Sequence, residues 1–256
     1  MTKTPQESLR FLNKEVEVIS LIYKSTDYLR FIVDQWIDTC SEGLVTDDPY
    51  RWVDADSGWS ASFRVVANDA TDSVLDKLES IGVEHTVYND AKPEDYYMNR
   101  VYRAWNFAGA SSLAEHLCFV NSDMAFSPGW LKNLLKYHDG KLIPCSRLVE
   151  SGKLKSGAHA ISLDFGRRPG RFKRDAWAQY VESASTDRVF SGGLYMPCIF
   201  EKQKFVDSGG YPEGNIGGRS GDAQFFERLH DDYGMNHITV GDSLVYHIQE
   251  GEKDAF

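Results

Sequence analysis

Apolar runs alternate with polar punctuation along the first half of the chain, and their length and spacing separate strands from helices. Val16-Glu17-Val18-Ile19-Ser20-Leu21-Ile22-Tyr23 is short and rich in β-branched and aliphatic residues, which predicts a buried strand. It runs into Lys24-Ser25-Thr26-Asp27, a polar helix-capping sequence, after which Leu29, Ile32, Val33, Trp36 and Ile37 recur at helical spacing. The pattern then repeats. Phe63 to Ala67 predicts a second strand ended by Asn68-Asp69-Ala70-Thr71-Asp72, followed by a helix to about Ile81 and a third strand from Val83 to Tyr88. Tyr97 to Leu113 has helical spacing in part, and His116 to Val120 predicts another strand, stopping at Asn121-Ser122-Asp123. Residues 41–60 carry Asp, Pro and Gly without a sustained period, which predicts a loop or insertion.

Strands alternating with helices predict an α/β fold with a mainly parallel sheet covered by helices. Such sheets bind ligands beyond the carboxyl ends of their strands, and Asp27, Asp69 and Asp123 all stand at strand ends. The second half is less regular. Arg167, Arg168, Arg171, Lys173 and Arg174 gather around Pro169-Gly170 and predict a mobile basic surface loop. Ser191 to Phe200 reads as a strand opened by glycine, and Glu201 to Ser208 as a short helix. A further helix begins near Asp222 and buries Phe225, Phe226 and Leu229, and Ser243 to His247 forms a last strand.

Composition narrows the classes. With 256 residues, 42% hydrophobic and 26% charged, the chain has the make-up of a folded globular protein. Its 38 acids against 28 Lys and Arg give a net charge of -10, which argues against a nucleic-acid partner. The four cysteines form no C-x-x-C pair, so neither a zinc ribbon nor a disulfide scaffold is expected, and a reducing compartment is. Glu17 and Ser20 interrupt the first apolar run, so no transmembrane segment is expected and a cytoplasmic location is.

Several motifs stand in a telling order. Tyr23 follows the first strand, and Val66-Ala67-Asn68-Asp69-Ala70-Thr71-Asp72 ends the second. Asn106 and Ala114-Glu115 precede Phe119-Val120-Asn121-Ser122-Asp123, with Pro128-Gly129-Trp130-Leu131 just after. Gly210-Tyr211-Pro212-Glu213, Asp222 through Arg228-Leu229 and Val245-Tyr246-His247 complete the series. Over about residues 16–250 this order resembles the family 2 glycosyltransferases of the GT-A fold, which use nucleotide-sugar donors. Departures are visible: Lys24 replaces an Asn, Trp105 an Arg, Ala108 a Gly, and Gly221 and Gln224 the acids that flank the base position.

The resemblance implies a GT-A, Rossmann-like, mixed but mainly parallel sheet in a single catalytic domain. Residues 16–125 would form the nucleotide-sugar-binding half and 126–256 the acceptor-binding and catalytic half. It also implies an inverting sugar transfer from a nucleotide-diphosphate sugar to a glycan or other hydroxyl acceptor, with Asp222 as general base. Tyr23, Asn68, Asp69, Arg103, Asn106, Asn121 and Ser122 become the donor-binding candidates, and Asp123 and His247 the ligands of a manganese or magnesium ion. Asp69, Asp123 and Asp222 also stand where helix caps belong, although Ser127-Pro128 supplies a cap after Asp123. Trp177 and Tyr211 are the aromatic candidates for acceptor stacking, and the basic loop for clamping pyrophosphate or an anionic acceptor. Two other readings remain open: a non-catalytic nucleotide- or carbohydrate-binding protein, and a sugar-phosphate nucleotidylyltransferase. The second would be expected to carry a glycine-rich loop after the first strand, where Lys24-Ser25-Thr26-Asp27 has none.

Overall fold

The computed structural model describes residues 14–40, 44–45, 48–92, 95–214 and 219–252. Its strands are β1 (Lys14–Ile22), β2 (Leu44–Val45), β3 (Asp48–Asp54), β4 (Trp59–Asn68), β5 (His85–Tyr88), β6 (His116–Asn121), β7 (Met124–Phe126), β8 (Leu142–Glu150), β9 (Ile161–Ser162), β10 (Val189–Ser191), β11 (Cys198–Glu201) and β12 (Asn236–His247). The α-helices are α1 (Thr26–Thr39), α2 (Asp72–Ile81), α3 (Tyr97–Ser111), α4 (Trp130–Leu135), α5 (Arg174–Ala184), α6 (Lys202–Asp207) and α7 (Gly221–Tyr233). One mixed sheet runs β10-β12-β8-β11-β6-β1-β4-β3-β2, with β5 on β4, β7 on β12 and β9 on β8.

The alternation in β1 explains why the sheet is covered on both sides. Val16, Val18 and Ile22 join a core with Leu29, Ile32 and Trp36 of α1, whereas Ile19 faces a second core with Trp105 and Phe119. β1 pairs in parallel with both β4 and β6. The chain goes from β1 outward to β4 and β5, then returns to lay β6 on the other flank of β1. A strand-order reversal of this kind opens a crevice beyond the carboxyl ends of β1 and β6.

An ion pair is buried beneath α3. Arg64 of β4 donates through Nε and Nη2 to the two oxygens of Glu17 at 2.9 and 3.0 Å, and through Nη1 to Thr86 Oγ1 and Nη2 to the Ala108 carbonyl, both at 2.9 Å.

Several expectations change. Residues 41–60 are not a loop throughout: β3 pairs antiparallel with β4, and Trp52 and Trp59 are both buried. Along β3, Asp48, Tyr50, Trp52 and Asp54 point to the more buried side and alternate with Pro49, Arg51 and Val53, and Asp54 closes the turn by accepting from Ser57 Oγ at 2.7 Å and Asp56 N at 3.3 Å. The basic segment is ordered as a 3-10 turn over Pro169–Arg171 that leads into α5. Arg167 pairs with Asp164, and Arg174 with Asp38. Residues 191–200 split into β10 and β11, which lie in different parts of the sheet. The last strand begins at Asn236 rather than Ser243, since a register shift between Val240 and Leu244 carries β12 past its polar interruption. Ser127 does not cap α4 through its side chain; its Oγ accepts from Leu244 N at 3.2 Å.

At the opposite end of β6, His138 packs edge-to-face against His116 with ring centroids 4.8 Å apart and lies 5.9 Å from Trp59. Burial, helped by His116, pushes the His138 pKa down from 6.5 to about 4. The unfolded chain therefore binds more protons than the folded one within that window, and stability is expected to fall as pH drops from 6.5 towards about 4. Urea melts at either end of the window should show a smaller acid loss for His138→Gln than for the wild type.

Candidate active site

Register alone assembles the first cluster. Asp123 occupies the turn between β6 and β7, and β7 pairs antiparallel with β12 so that Met124 faces His247. β12 runs parallel to β8 with His247 opposite Glu150. Three adjacent strands thereby bring Asp123, His247 and Glu150 into one row: Asp123 Oδ2 lies 3.4 Å from His247 Nε2, and His247 Nδ1 3.4 Å from Glu150 Oε1. Burial alone would lower the His247 pKa, but the two flanking carboxylates outweigh it and raise it to about 10. Burial likewise raises the Asp123 carboxyl, and His247 with the Gly251 amide brings it below its usual range.

Among the described residues no three His, Cys, Asp or Glu side chains are arranged to hold a metal ion by themselves. Two ligand atoms at about 2.1 Å from one cation stand roughly 3.0–3.4 Å apart for octahedral to tetrahedral angles. The 3.4 Å between Asp123 and His247 falls in that range. Glu150 on the far nitrogen of His247 is the kind of carboxylate that orients a metal-bound imidazole. The pair therefore fits a divalent ion that takes its remaining oxygens from a ligand.

A second cluster forms the wall beyond β1 and β4. Asp69 has a positive φ of 50° and turns its carboxylate inward. Its Oδ1 accepts from the amides of Asp90 and Ala91 at 3.0 Å, and its Oδ2 from Arg100 Nε and Nη2 at 3.1 and 2.8 Å. The same guanidinium lies 5.0 Å from the centroid of the Tyr23 ring. Burial raises the Tyr23 phenol, but Lys24 and Arg100 outweigh this and leave its pKa lowered. Asn68 beside Asp69 is buried, and its Oδ1 has no hydrogen-bond partner among the described residues.

No family model matches the sequence, and no curated protein matches it. Solved structures do. Over 91% of this chain and 43% of the other, it resembles GalNAc-T7 with UDP, GalNAc and Mn2+, at 9% identity and a TM-score of 0.52. S. aureus TarS 1-349 matches over 91% of this chain and 60% of its own, at 12% identity and 0.52. The mannosyltransferase PcManGT from Pyrobaculum calidifontis, in complex with GDP-Man and Mn2+, matches over 95% and 63%, at 15% identity and 0.54. The chain has the GT-A fold. It spans 43% to 63% of the length of these three GT-A structures.

Within the GT-A frame, two of the departures from the pattern that the sequence resembles, Trp105 and Gly221, have a physical reason. Trp105 is core, 1% exposed and packed on Phe119 with centroids 4.5 Å apart. A guanidinium still reaches the strand-end acid, supplied by Arg100 from the start of the same helix. Gly221 admits no side chain, because a Cβ there would collide with the Pro212 carbonyl and the Tyr102 ring. Asp222 follows in the first turn of α7, its Oδ1 accepting from Ala223 N at 2.9 Å. Burial and the Asp222 charge push the neighbouring Tyr102 phenol up to about 12.

Other candidates are committed elsewhere. Arg103 is ion-paired to Asp90 at 2.7 Å, to Glu213 at 2.8 Å and to Asp95. Asn106 uses both ends of its amide on the Tyr211 backbone, donating to its carbonyl at 2.9 Å and accepting from its N–H at 2.8 Å. Asn121 and Ser122 lie half-buried beside Asp123. Trp177 and Tyr211 belong to the interior, at 4% and 1% exposure, and the Trp177 indole donates to the Phe126 carbonyl. Acceptor stacking on either ring is thus corrected by their burial. Arg100, Glu150 and Glu252 were not anticipated from the sequence. Of these, Glu252 stands in the run Glu250-Gly251-Glu252, which two residues separate from the closing histidine motif.

Proposed function

We propose that the chain transfers a sugar from a nucleotide-diphosphate sugar to a hydroxyl acceptor with inversion, as a family 2-like glycosyltransferase. The observation that carries this reading is the Asp123–His247–Glu150 row at the mouth of the β1/β6 crevice. Asp123 and His247 would hold Mn2+ or Mg2+, with Glu150 orienting the imidazole. Such an ion, when bound, neutralises the charge that develops on a diphosphate leaving group. Tyr23, Arg100, Asp69 and Asn68 form the donor-side wall of residues 16–125, where Asp69 acts through Arg100, whose guanidinium it fixes. The 126–256 half would receive the acceptor. Asp222 takes the proton of the acceptor hydroxyl, and an α-linked donor then gives a β-linked product.

The test is a screen of UDP- and GDP-sugars for thermal stabilisation and turnover with and without Mn2+, with the product anomer read by NMR. Nucleotide-sugar binding without any turnover would place the chain among the non-catalytic binders. Asp123→Ala is expected to weaken Mn2+-dependent donor binding by at least about tenfold, since one of the ion's two protein ligands is lost. Calorimetry at fixed Mn2+ checks this, and an unchanged metal dependence removes Asp123 from the site.

A further inference from the structure

Past the end of β12 the chain makes a hook. Gln249, Glu250 and Gly251 follow one another with positive φ of 65°, 59° and 34°, a left-handed succession that residues with side chains disfavour. Gln249 anchors the hook. It is 2% exposed, and its Oε1 accepts from Leu154 N at 3.1 Å and from Ser151 Oγ at 3.3 Å. Beyond this anchor the chain crosses the crevice. Gly251 N donates at 3.0 Å to Asp123 Oδ2, the same oxygen that faces His247. The Glu252 carboxylate then accepts from three consecutive amides of the loop after β1: Tyr23 at 3.2 Å, Lys24 at 2.5 Å and Ser25 at 3.1 Å.

We propose that Gln249–Glu252 is an autoinhibitory strap, in which the Glu252 carboxylate occupies the Tyr23–Ser25 amides in place of an anionic ligand and a nucleoside diphosphate displaces it. Successive amides converging at the start of a helix cradle oxyanions, and Ser25 is the N-cap of α1. A single movement of the hook vacates the amides and also releases Asp123 Oδ2 from Gly251. The left-handed backbone favours departure, while the buried Gln249 keeps the pivot in place. Space for a larger anion adjoins the loop: a cavity of about 300 Å³ is lined by Ser25, Asp27, Tyr28, Arg168 and Arg171. The nucleoside diphosphate as ligand rests on the sugar-transfer reading; the occupation of the amides by Glu252 does not.

The experiment titrates inorganic pyrophosphate, with EDTA and no metal, into the 15N-labelled full chain and follows the Tyr23, Lys24 and Ser25 amide resonances. A strap closed about 80–90% of the time raises the apparent dissociation constant about five- to tenfold. Glu252→Ala is therefore expected to shift these three resonances before any addition and to lower the pyrophosphate midpoint by about that factor. Glu252→Gln keeps the shape without the charge and should fall between the two, which guards against a variant that is merely misfolded. An unchanged or higher midpoint in Glu252→Ala, no binding to it, or coincident starting resonances would overturn the proposal. UDP and GDP are then titrated in the same way. If neither nucleotide binds either protein while the pyrophosphate midpoint still falls, the strap stands and the sugar-transfer reading fails.

Discussion

Asp222→Asn is expected to lower the turnover of sugar transfer by about 10²–10⁴-fold, the usual contribution of a positioned general base, with donor affinity within about twofold of wild type. Geometry makes the substitution a clean one. The asparagine carbonyl keeps the hydrogen bond from Ala223 N, and the side chain retains its shape in the first turn of α7. What disappears is the carboxylate charge, and with it the oxygen that would accept the proton of the acceptor hydroxyl. The neighbouring phenol gives a check that does not depend on activity. Tyr102 is pushed up to about 12 by burial and by Asp222, so its titration should move down in the variant while remaining above that of an ordinary tyrosine. Single-turnover rates separate chemistry from product release. A variant that retains a rate within tenfold of wild type while its Tyr102 titration has moved would sink the assignment of the base.

The sequence carried the alternation of β1, α1, β4, α2 and β6, because each of those strands is an apolar run closed by polar residues at the crevice. β8 escaped the same reading. Pro144, Ser146 and Arg147 interrupt its apolar residues, and only its pairing with β12 and β11 identifies it as a strand inside the sheet. Glu150 was hidden for the same reason, since its approach to His247 is a consequence of β8–β12 register. Arg100 sits on the first turn of a helix between Asn99 and Val101, where nothing local marks it as the partner of an acid 31 residues earlier. Trp177 and Tyr211 mislead in the other direction. An aromatic residue in a polar neighbourhood reads as a surface platform, yet α5 presents only Trp177 as a buried residue, and Asn106 holds the backbone of Tyr211 inside. Side chains fixed by local pattern were legible; those fixed by contacts across the sheet were not.

The largest effect on stability is expected at the Glu17–Arg64 pair. Arg64→Ala should cost about 3–5 kcal/mol, because a carboxylate with a 10% exposed side chain is left without its counter-charge. That is a large part of the roughly 5–15 kcal/mol by which a domain is stable. Arg64 is more than half of an ion pair. Its guanidinium joins β1 through Glu17, β5 through Thr86 and α3 through the Ala108 carbonyl. These are the elements that lead to Tyr23, bear Arg100 and lead to the Asp90 and Ala91 amides on Asp69. Loss of the arginine should therefore loosen the donor-side wall as well as the core. Removing both charges is expected to be far milder than removing one: Glu17→Leu with Arg64→Met replaces the pair by apolar groups of similar length and should recover most of the loss. Urea melts of the two single variants and the double variant complete the cycle. If Arg64→Ala costs less than about 1 kcal/mol, then the pair is solvated in the folded protein and does not anchor α3.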